Sequence, residues 1–133
     1  MYAINQGFDY VENIIKDGGV FLPFITVDNS EEEMKHPYDE DVEFISVVYK
    51  KENNLKAAIE KARNHIQVEL IEKKKIDPIR IGLFYDGVLV IEGVKKNIVV
   101  AEHIGKNDKY YQIYNKRKYI GPLEKYIDEE KDD

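Results

Sequence analysis

Residues 79–119, IRIGLFYDGVLVIEGVKKNIVVAEHIGKNDKYYQIYNKRKY, decide the fold, because they read as four consecutive strands separated by turn residues at regular spacing. Asp86 and Gly87 stand between two runs of β-branched and aromatic residues. Aspartate followed by glycine is a strong short-range signal for a two-residue hairpin. The stretch therefore predicts an antiparallel β-meander whose first turn lies at this dipeptide.

An amphipathic helix is predicted near the start of the chain, over residues 3–17. Apolar residues recur there at spacings of four, three and four, which places them on one helical face. They are Ile4, Phe8, Val11 and Ile15. Gly18 and Gly19 follow, and glycine tolerates the left-handed conformation that ends many helices.

A second amphipathic helix is predicted from residue 55 onwards. Asn53 or Asn54 can cap it, because an asparagine side chain accepts hydrogen bonds from the unpaired N–H groups of the first turn. Asp77-Pro78 ends it, since proline disfavours helical geometry in the residue before it. The apolar stripe that we expect to pack on the sheet consists of Leu55, Ala58, Ile59, Ala62 and Ile66.

Two strands are predicted between the helices. Residues 20–27, VFLPFITV, form a short apolar strand, but Pro23 cannot donate a ladder hydrogen bond. This strand therefore belongs at an edge or a bulge. Residues 42–49 contain a longer apolar run, which is typical of a buried, central strand.

These patterns together predict an α+β fold with the element order α-β-β-α-β-β-β-β. We expect one domain over residues 1–123, with a mostly antiparallel sheet of five or six strands and two helices packed on one face. A chain of 133 residues is long enough to bury a core without disulfides. Residues 124–133 are mainly acidic and predict a frayed C-terminal tail.

The composition excludes several classes of site. The chain has no cysteine, which rules out disulfides, thiolate metal sites and cysteine nucleophiles, and suits a reducing cytosol. No apolar run approaches the roughly 20 residues that span a bilayer. We therefore expect a cytoplasmic protein with no membrane partner. No nucleophile elbow, phosphate-binding loop or metal-ligand spacing occurs, so neither a cofactor nor a metal is expected.

Charge is distributed unevenly along the chain. The net charge of −6 argues against binding to nucleic acid, which requires concentrated basic residues. Residues 28–43, DNSEEEMKHPYDEDVE, hold eight acidic residues and one lysine, whereas residues 106–118 hold five basic residues and one acidic residue. Such runs are often only solvated surface, but the acidic segment also suits a basic protein partner. The predicted partner-binding carboxylates are Glu31, Glu32, Glu33, Asp39, Glu40 and Asp41.

Three side chains are weak candidates for catalysis. His65 and Glu69 lie four residues apart on the second helix, where they can touch, and Glu69 falls inside the apolar stripe. They could form an acid–base pair in a cleft, or a salt bridge near the helix end. His103 follows Glu102 on a strand, where neighbours point to opposite faces, so these two cannot serve one site.

Residues 109–119, KYYQIYNKRKY, interleave basic residues with tyrosines. Cations beside aromatic faces can hold nucleic acid, but the whole chain is acidic. Tyrosine also favours strands and protein interfaces. A structural role in the sheet is the first interpretation, a protein-binding surface that includes Tyr110 and Tyr114 the second, and nucleic acid the third.

No motif assigns a function. A small, acidic, cysteine-free chain rich in lysine, isoleucine and asparagine is typical of a dedicated binding protein from a bacterium or phage. We expect a non-catalytic protein-interaction domain, most specifically an immunity-type inhibitor of a basic toxin. The alternatives are a small enzyme or ligand sensor with a cleft between the second helix and the sheet, and an assembly subunit that joins through the edge of the first strand, for example as a dimer.

Overall fold

The computed structural model describes residues 2–29, 42–48 and 54–126. This part folds as two helices and a curled, antiparallel sheet, which confirms the predicted α+β domain. The helices are α1 (Tyr2–Lys16) and α2 (Leu55–His65), and α2 continues as a π-helical segment, Ile66–Lys73. The strands are β1 (Phe24–Asp28), β2 (Val42–Ile45), β3 (Ile81–Ile91), β4 (Val94–His103), β5 (Asp108–Asn115), β6 (Lys118–Tyr119) and β7 (Glu124–Lys125). Short 3-10 turns, Pro78–Arg80 and Ile104–Lys106, precede β3 and follow β4.

The sheet order is β2-β1-β3-β4-β5-β6, and β7 also pairs with β5. The strand that was predicted at the edge, β1, therefore lies between two others, and β2, which was predicted to be central, ends the described order. Both expectations are wrong. Pro23 precedes the first residue of β1, so its missing N–H group removes no bond from the ladder.

The first hairpin of the meander turns later than predicted. β3 runs without a break through Asp86 and Gly87, which pair with β4. The turn lies instead at Glu92 and Gly93, whose φ angles of 51° and 80° are the positive values that a two-residue hairpin requires. The prediction at Asp86-Gly87 is wrong because these residues pair with Val99 and Ile98 of β4, and within the strand the Asp86 carboxylate accepts the Gly87 N–H at 3.0 Å.

Helix α1 covers one face of the sheet with a core rich in aromatic rings. Its predicted stripe, from Ile4 to Ile15, is buried, and it packs against Phe24 and Phe84. Gly7 allows this close approach, because a Cβ atom there would lie 2.0 Å from the ring of Phe84. The positions from β1, β3 and β4 in this core are Phe24, Phe84, Val99 and Ala101.

Helix α2 and the π-helical segment cover the opposite face. They pack on Ile25 and Leu83, which neighbour Phe24 and Phe84 in sequence and therefore point the other way. The prediction that both helices pack on one face is wrong. In β1, successive residues that point to opposite faces are both apolar, which is the sequence signal for a strand that is buried on both faces.

The start of α2 confirms one of the two predicted caps. Asn54 precedes the helix and accepts a hydrogen bond from the backbone N–H of Ala57 at 2.8 Å. At its other end, the helix widens into the π-helical segment, as the bond from Lys74 N–H to Glu69 O shows. The wider turn places Leu70, which is 1% exposed, on the sheet.

The C-terminal segment joins the sheet for as far as it is described. β7 pairs with β5, and the N–H of Tyr126 donates to the carbonyl of Lys109 at 2.8 Å. Of the predicted acidic tail, residues 124–126 are thus ordered by the sheet, and residues 127–133 lie outside the described residues. Neither helix in the described ranges has the length and apolar character needed to traverse a bilayer.

Candidate functional site

Three polar side chains meet between α2 and the sheet. Glu102 of β4 accepts two hydrogen bonds from the guanidinium of Arg63 on α2, at 2.6 and 2.5 Å. The hydroxyl of Tyr85 on β3 donates to the same carboxylate. Glu102 is 7% exposed, so this cluster, which we call the clasp, is a charged contact within a mainly apolar layer.

The clasp sets the charge of its own members. Burial opposes ionisation of Glu102, but the hydrogen bonds from Arg63 and Tyr85 and the positive charge of Arg63 outweigh it, so the pKa of Glu102 lies below its usual value. The hydrogen bond to Glu102 raises the pKa of Arg63. Burial and the bond to Glu102 raise the pKa of Tyr85. At neutral pH the clasp is therefore an ion pair with a neutral tyrosine.

Two cavities of about 150 Å³ each flank the clasp. Both are smaller than the roughly 300 to 1,000 Å³ of a typical ligand pocket. The ammonium of Lys109, which lines both, lies 5.7 Å from the centre of the Tyr126 ring. One is lined by Arg63, Glu102, His103, Ile104, Asn107, Asp108 and Lys109. The other is lined by Tyr85, Gly87, Val88, Ile98, Val100, Lys109 and Tyr126.

The chemistry of the clasp is primarily structural. The oxygens of Glu102 accept from Arg63 and Tyr85, so the carboxylate is engaged by groups of the protein itself. A bidentate arginine–carboxylate pair has a fixed geometry and suits the attachment of a helix to a sheet. The sequence signal for this site is a single glutamate within the apolar run that ends β4, together with an arginine near the stripe of α2.

The structure does not bring the three catalytic candidates together. Glu69 forms an ion pair with Lys73 at 3.0 Å, and its side chain is 40% exposed, so it does not lie on the buried stripe. His65 is partly exposed on the same side of the sheet, whereas His103 faces α1 on the other side. An acid–base role for His65 and Glu69 remains a prediction. The ion pair with Lys73 is of the kind that the other interpretation, a salt bridge near the helix end, expects.

His103 lies in a small polar pocket beneath α1. Its ring nitrogen Nε2 is 2.7 Å from the carbonyl oxygen of Ile79, while Nδ1 is buried and has no hydrogen-bond partner. The adjoining cavity, of about 40 Å³, is lined in part by Ile4 and Gly82. Glu102 hydrogen-bonds Arg63 of α2 and so points to the opposite side of the sheet, but both residues line the cavity beside Arg63. The prediction that these two neighbours cannot serve one site therefore stays a prediction.

Tyr110 and Tyr114, the predicted partner-binding tyrosines, are partly buried. Both pack against the core around α1, as the structural interpretation expects. The hydroxyl of Tyr114 donates to Asp86 at 3.0 Å. Burial raises the pKa of Asp86, and the hydrogen bonds from Tyr114 and Gly87 oppose that rise without cancelling it. Partner binding by these tyrosines remains a prediction.

The acidic segment connects β1 to β2. Its predicted binding residues, Glu31, Glu32, Glu33, Asp39, Glu40 and Asp41, lie outside the described residues. Its two ends are described: Asp28 pairs with Val42, and the side-chain amide of Asn29 donates to Glu43 at 3.3 Å. The segment therefore leaves and re-enters the sheet at one place, beside the last strand of the described order.

Exposed aromatic residues lie next to that same strand. Tyr10 of α1 and Phe44 of β2 stack with ring centres 4.9 Å apart, and they are 40% and 39% exposed. Phe24 contacts both rings from beneath. The adjoining groove, which we call the aromatic groove, has a volume of about 250 Å³ and is lined by Tyr10, Ile14, Val20, Phe21, Leu22, Phe24, Ser46 and Val48.

The aromatic groove has no counterpart in the sequence predictions. Tyr10 falls outside the α1 stripe, and Phe44 was assigned to a central strand, where it would be covered. Only the pairing of β2 beside β1 reveals that the two rings meet. A signal was present in residues 20–27, which are apolar at nearly every position although Val20 is 87% exposed.

Metal binding finds no support in the described part of the chain, where histidine, aspartate and glutamate side chains form no group of three that could hold an ion. Comparison of the chain with protein-family models, with curated proteins and with solved structures finds no match.

Proposed function

We propose that the protein is a non-catalytic interaction domain that binds a basic protein through the acidic segment between β1 and β2. The observation that carries the proposal is the concentration of eight acidic residues in residues 28–43, a segment whose two ends are paired at Asp28 and Val42. In its most specific form, the protein is a cytoplasmic, immunity-type inhibitor of a basic toxin from a bacterium or phage.

The paired ends explain why this segment suits recognition. The carboxylates of residues 28–43 are close together in the sequence and carry charge of one sign, so they repel one another, and a basic surface would relieve that repulsion. Charge of one sign also attracts an oppositely charged partner over long distances and accelerates encounter. The cytoplasm is the compartment that we propose, and a chain without cysteine needs no oxidising environment to fold.

The clasp and its cavities support a second candidate, a ligand sensor or small enzyme at α2 and the sheet. The cavity beside Glu102 offers Arg63 and Lys109 to a small anion. Against this, Arg63 and Glu102 already bind each other, so a ligand would have to compete with an intramolecular ion pair. The interaction domain is therefore the favoured function.

The test replaces the six predicted carboxylates, Glu31, Glu32, Glu33, Asp39, Glu40 and Asp41, by glutamine or asparagine. The wild-type protein is used to capture its partner from the native host, and association rates are then measured by stopped flow at low and high salt. We expect association to slow by about tenfold or more at low salt and the thermal midpoint to stay nearly unchanged.

A control variant removes the same charge elsewhere. Its six exposed positions, Asp9, Glu12, Asp17, Glu60, Glu72 and Glu92, are changed in the same way. It should retain most of the association rate, because these carboxylates are scattered. An association rate that changes neither with salt concentration nor with the substitution of the six predicted carboxylates would overturn the proposed function.

A further inference from the structure

We propose that β2 and the aromatic groove together receive an extended segment of the basic partner as an added strand. This inference rests on the proposed function and names the shape that the partner presents. Within the described ranges, β2 pairs with β1 alone, so its other side offers backbone groups to an incoming strand.

The groove supplies a site for side chains of that strand. Phe44 pairs with Thr26 of β1. Thr26 is two positions from Phe24, which lines the groove, so both point to the same face of β1. Phe44 therefore lies on the α1 side of β2. Tyr10 stacks on it and is equally exposed. Exposed rings beside an apolar groove mark a protein interface, because aromatic side chains bury a large area and lose little entropy. An apolar side chain of the added strand would enter here.

The opposite side of β2 calls for a different residue. Glu43 pairs with Val27 and is exposed on the α2 side. Glu43 is the last residue of the acidic segment, residues 28–43, and it lies within β2. An added strand with apolar and basic residues in alternation would therefore match both sides, since alternate residues of a strand face opposite ways.

Charge argues against a second copy of the chain as the occupant. Each copy carries a net charge of −6, and joining two β2 strands would bring both acidic segments to one interface. Like charges at an interface oppose association, whereas a basic strand is attracted by the same residues. The partner chemistry that fits is thus an extended, basic and apolar segment of another protein.

The experiment uses two synthetic octapeptides in which valine and lysine alternate. The first has an ordinary backbone, and the second carries N-methyl groups on the amides that would face β2. Side chains and charge are the same in both, so any difference reports backbone pairing. Binding to the full chain is measured by fluorescence anisotropy and by amide chemical shifts of residues 42–48.

We expect the first peptide to bind, to shift the amides of β2 and to protect them from hydrogen exchange. N-methylation should weaken binding by about tenfold or more, because each blocked donor loses a backbone hydrogen bond. In the protein, Phe44→Ala should weaken the first peptide by about tenfold, since a half-exposed aromatic anchor is lost. Val90→Ala, which shortens a side chain that is 59% exposed on another strand, should leave the affinity unchanged.

Three results would overturn the inference. Equal affinity for both peptides would mean that charge alone holds them, and shifts confined to other strands would place the peptide elsewhere. A concentration-dependent dimer in sedimentation, abolished by Phe44→Ala, would identify the occupant as a second copy. The variant with six substituted carboxylates tests the proposed function separately. If it still associates slowly with the captured partner while any of these three results is observed, the inference of an added strand is refuted and the proposed function stands.

Discussion

The two faces of the sheet are closed in different ways. On the α1 side, Phe84 stacks on Phe24 at 4.9 Å and meets Phe8 edge-on at 5.5 Å, so the contact consists mainly of aromatic burial. On the α2 side, an aliphatic layer is joined by the charged clasp of Arg63 and Glu102. Both arrangements attach a helix to the sheet. The aromatic contact should respond mainly to the loss of buried area, whereas the clasp should also respond to the loss of a charge and to pH.

Removal of the central ring on the α1 side should have the largest effect. Phe84 is 0% exposed, so Phe84→Ala should lower the free energy of unfolding by about 3 to 5 kcal/mol through lost contacts and a cavity. On the α2 side, Ile66→Ala should cost about 2 to 5 kcal/mol, since Ile66 is 3% exposed. Urea midpoints measure both, and Val90→Ala is the exposed control. A midpoint close to wild type for Phe84→Ala would contradict the aromatic core.

The clasp should show strong coupling between its two charges. Arg63→Met or Glu102→Met alone should each lower the unfolding free energy by about 2 to 4 kcal/mol, because each leaves one charge without its partner. The loss should be smaller for Glu102→Met, since the Arg63 side chain is 40% exposed and water screens it. The double variant should lose less than the sum, because two apolar side chains can pack together. Additive losses in this cycle would show that the ion pair contributes no coupling.

Acid should act on the two faces with opposite sign. The folded-state pKa of Glu102 lies below its usual value of 4.5, so its contribution to stability is present above that pH and is lost as pH falls through the folded pKa. The pKa of Asp86, on the α1 side, is raised above 3.8, so the folded chain binds a proton first and gains stability as pH falls towards that value.

Unfolding free energies between about pH 3 and about pH 7 check this contrast. The advantage of wild type over Glu102→Gln should shrink as pH falls. The stability of wild type relative to Asp86→Asn should increase as pH falls towards 3.8, because the asparagine does not titrate and can still accept from Tyr114. Parallel pH profiles for the two variants would refute the opposite signs.

The smallest effect is expected at the ion pair between Glu69 and Lys73. Its side chains are 40% and 65% exposed, and pairs of this kind contribute well under about 1 kcal/mol. Glu69→Ala should therefore change the thermal midpoint very little and should not depend on the clasp. A loss as large as that of Glu102→Met would mean that Glu69 supports the α2 face in a way that its exposure does not show.

The sequence predicted elements whose signal is local. The α1 stripe and the Asn54 cap each depend on residues within a few positions, and both are confirmed. The hairpin was misplaced because two dipeptides in the meander, Asp86-Gly87 and Glu92-Gly93, carry a glycine after an acidic residue. Local turn chemistry ranks the first higher, but strand pairing with β4 and the hydrogen bonds to Asp86 select the second.

Features that join distant positions could not be read from the sequence. Arg63 and Glu102 are 39 residues apart, and Phe44 meets Tyr10 only because β2 lies beside β1. The face that each helix covers also depends on how the strands pair. The π-helical segment moved Glu69 off the stripe, because a wider turn shifts the helical period on which the stripe prediction depends.

The contact between Tyr119 and α1 has a consequence for how the chain folds during its synthesis on the ribosome. The tyrosine hydroxyl donates to the carbonyl of Phe8 at 2.7 Å, across 111 positions of sequence. β6 is therefore made after α1, on the order of 5 to 20 s later at usual elongation rates. Phe24, Phe84 and Val99 precede β6 in the chain and can cover part of the apolar side of α1 earlier. The hydrogen bond from Tyr119 therefore completes a contact that the earlier strands begin, and it can form only after β6 has emerged.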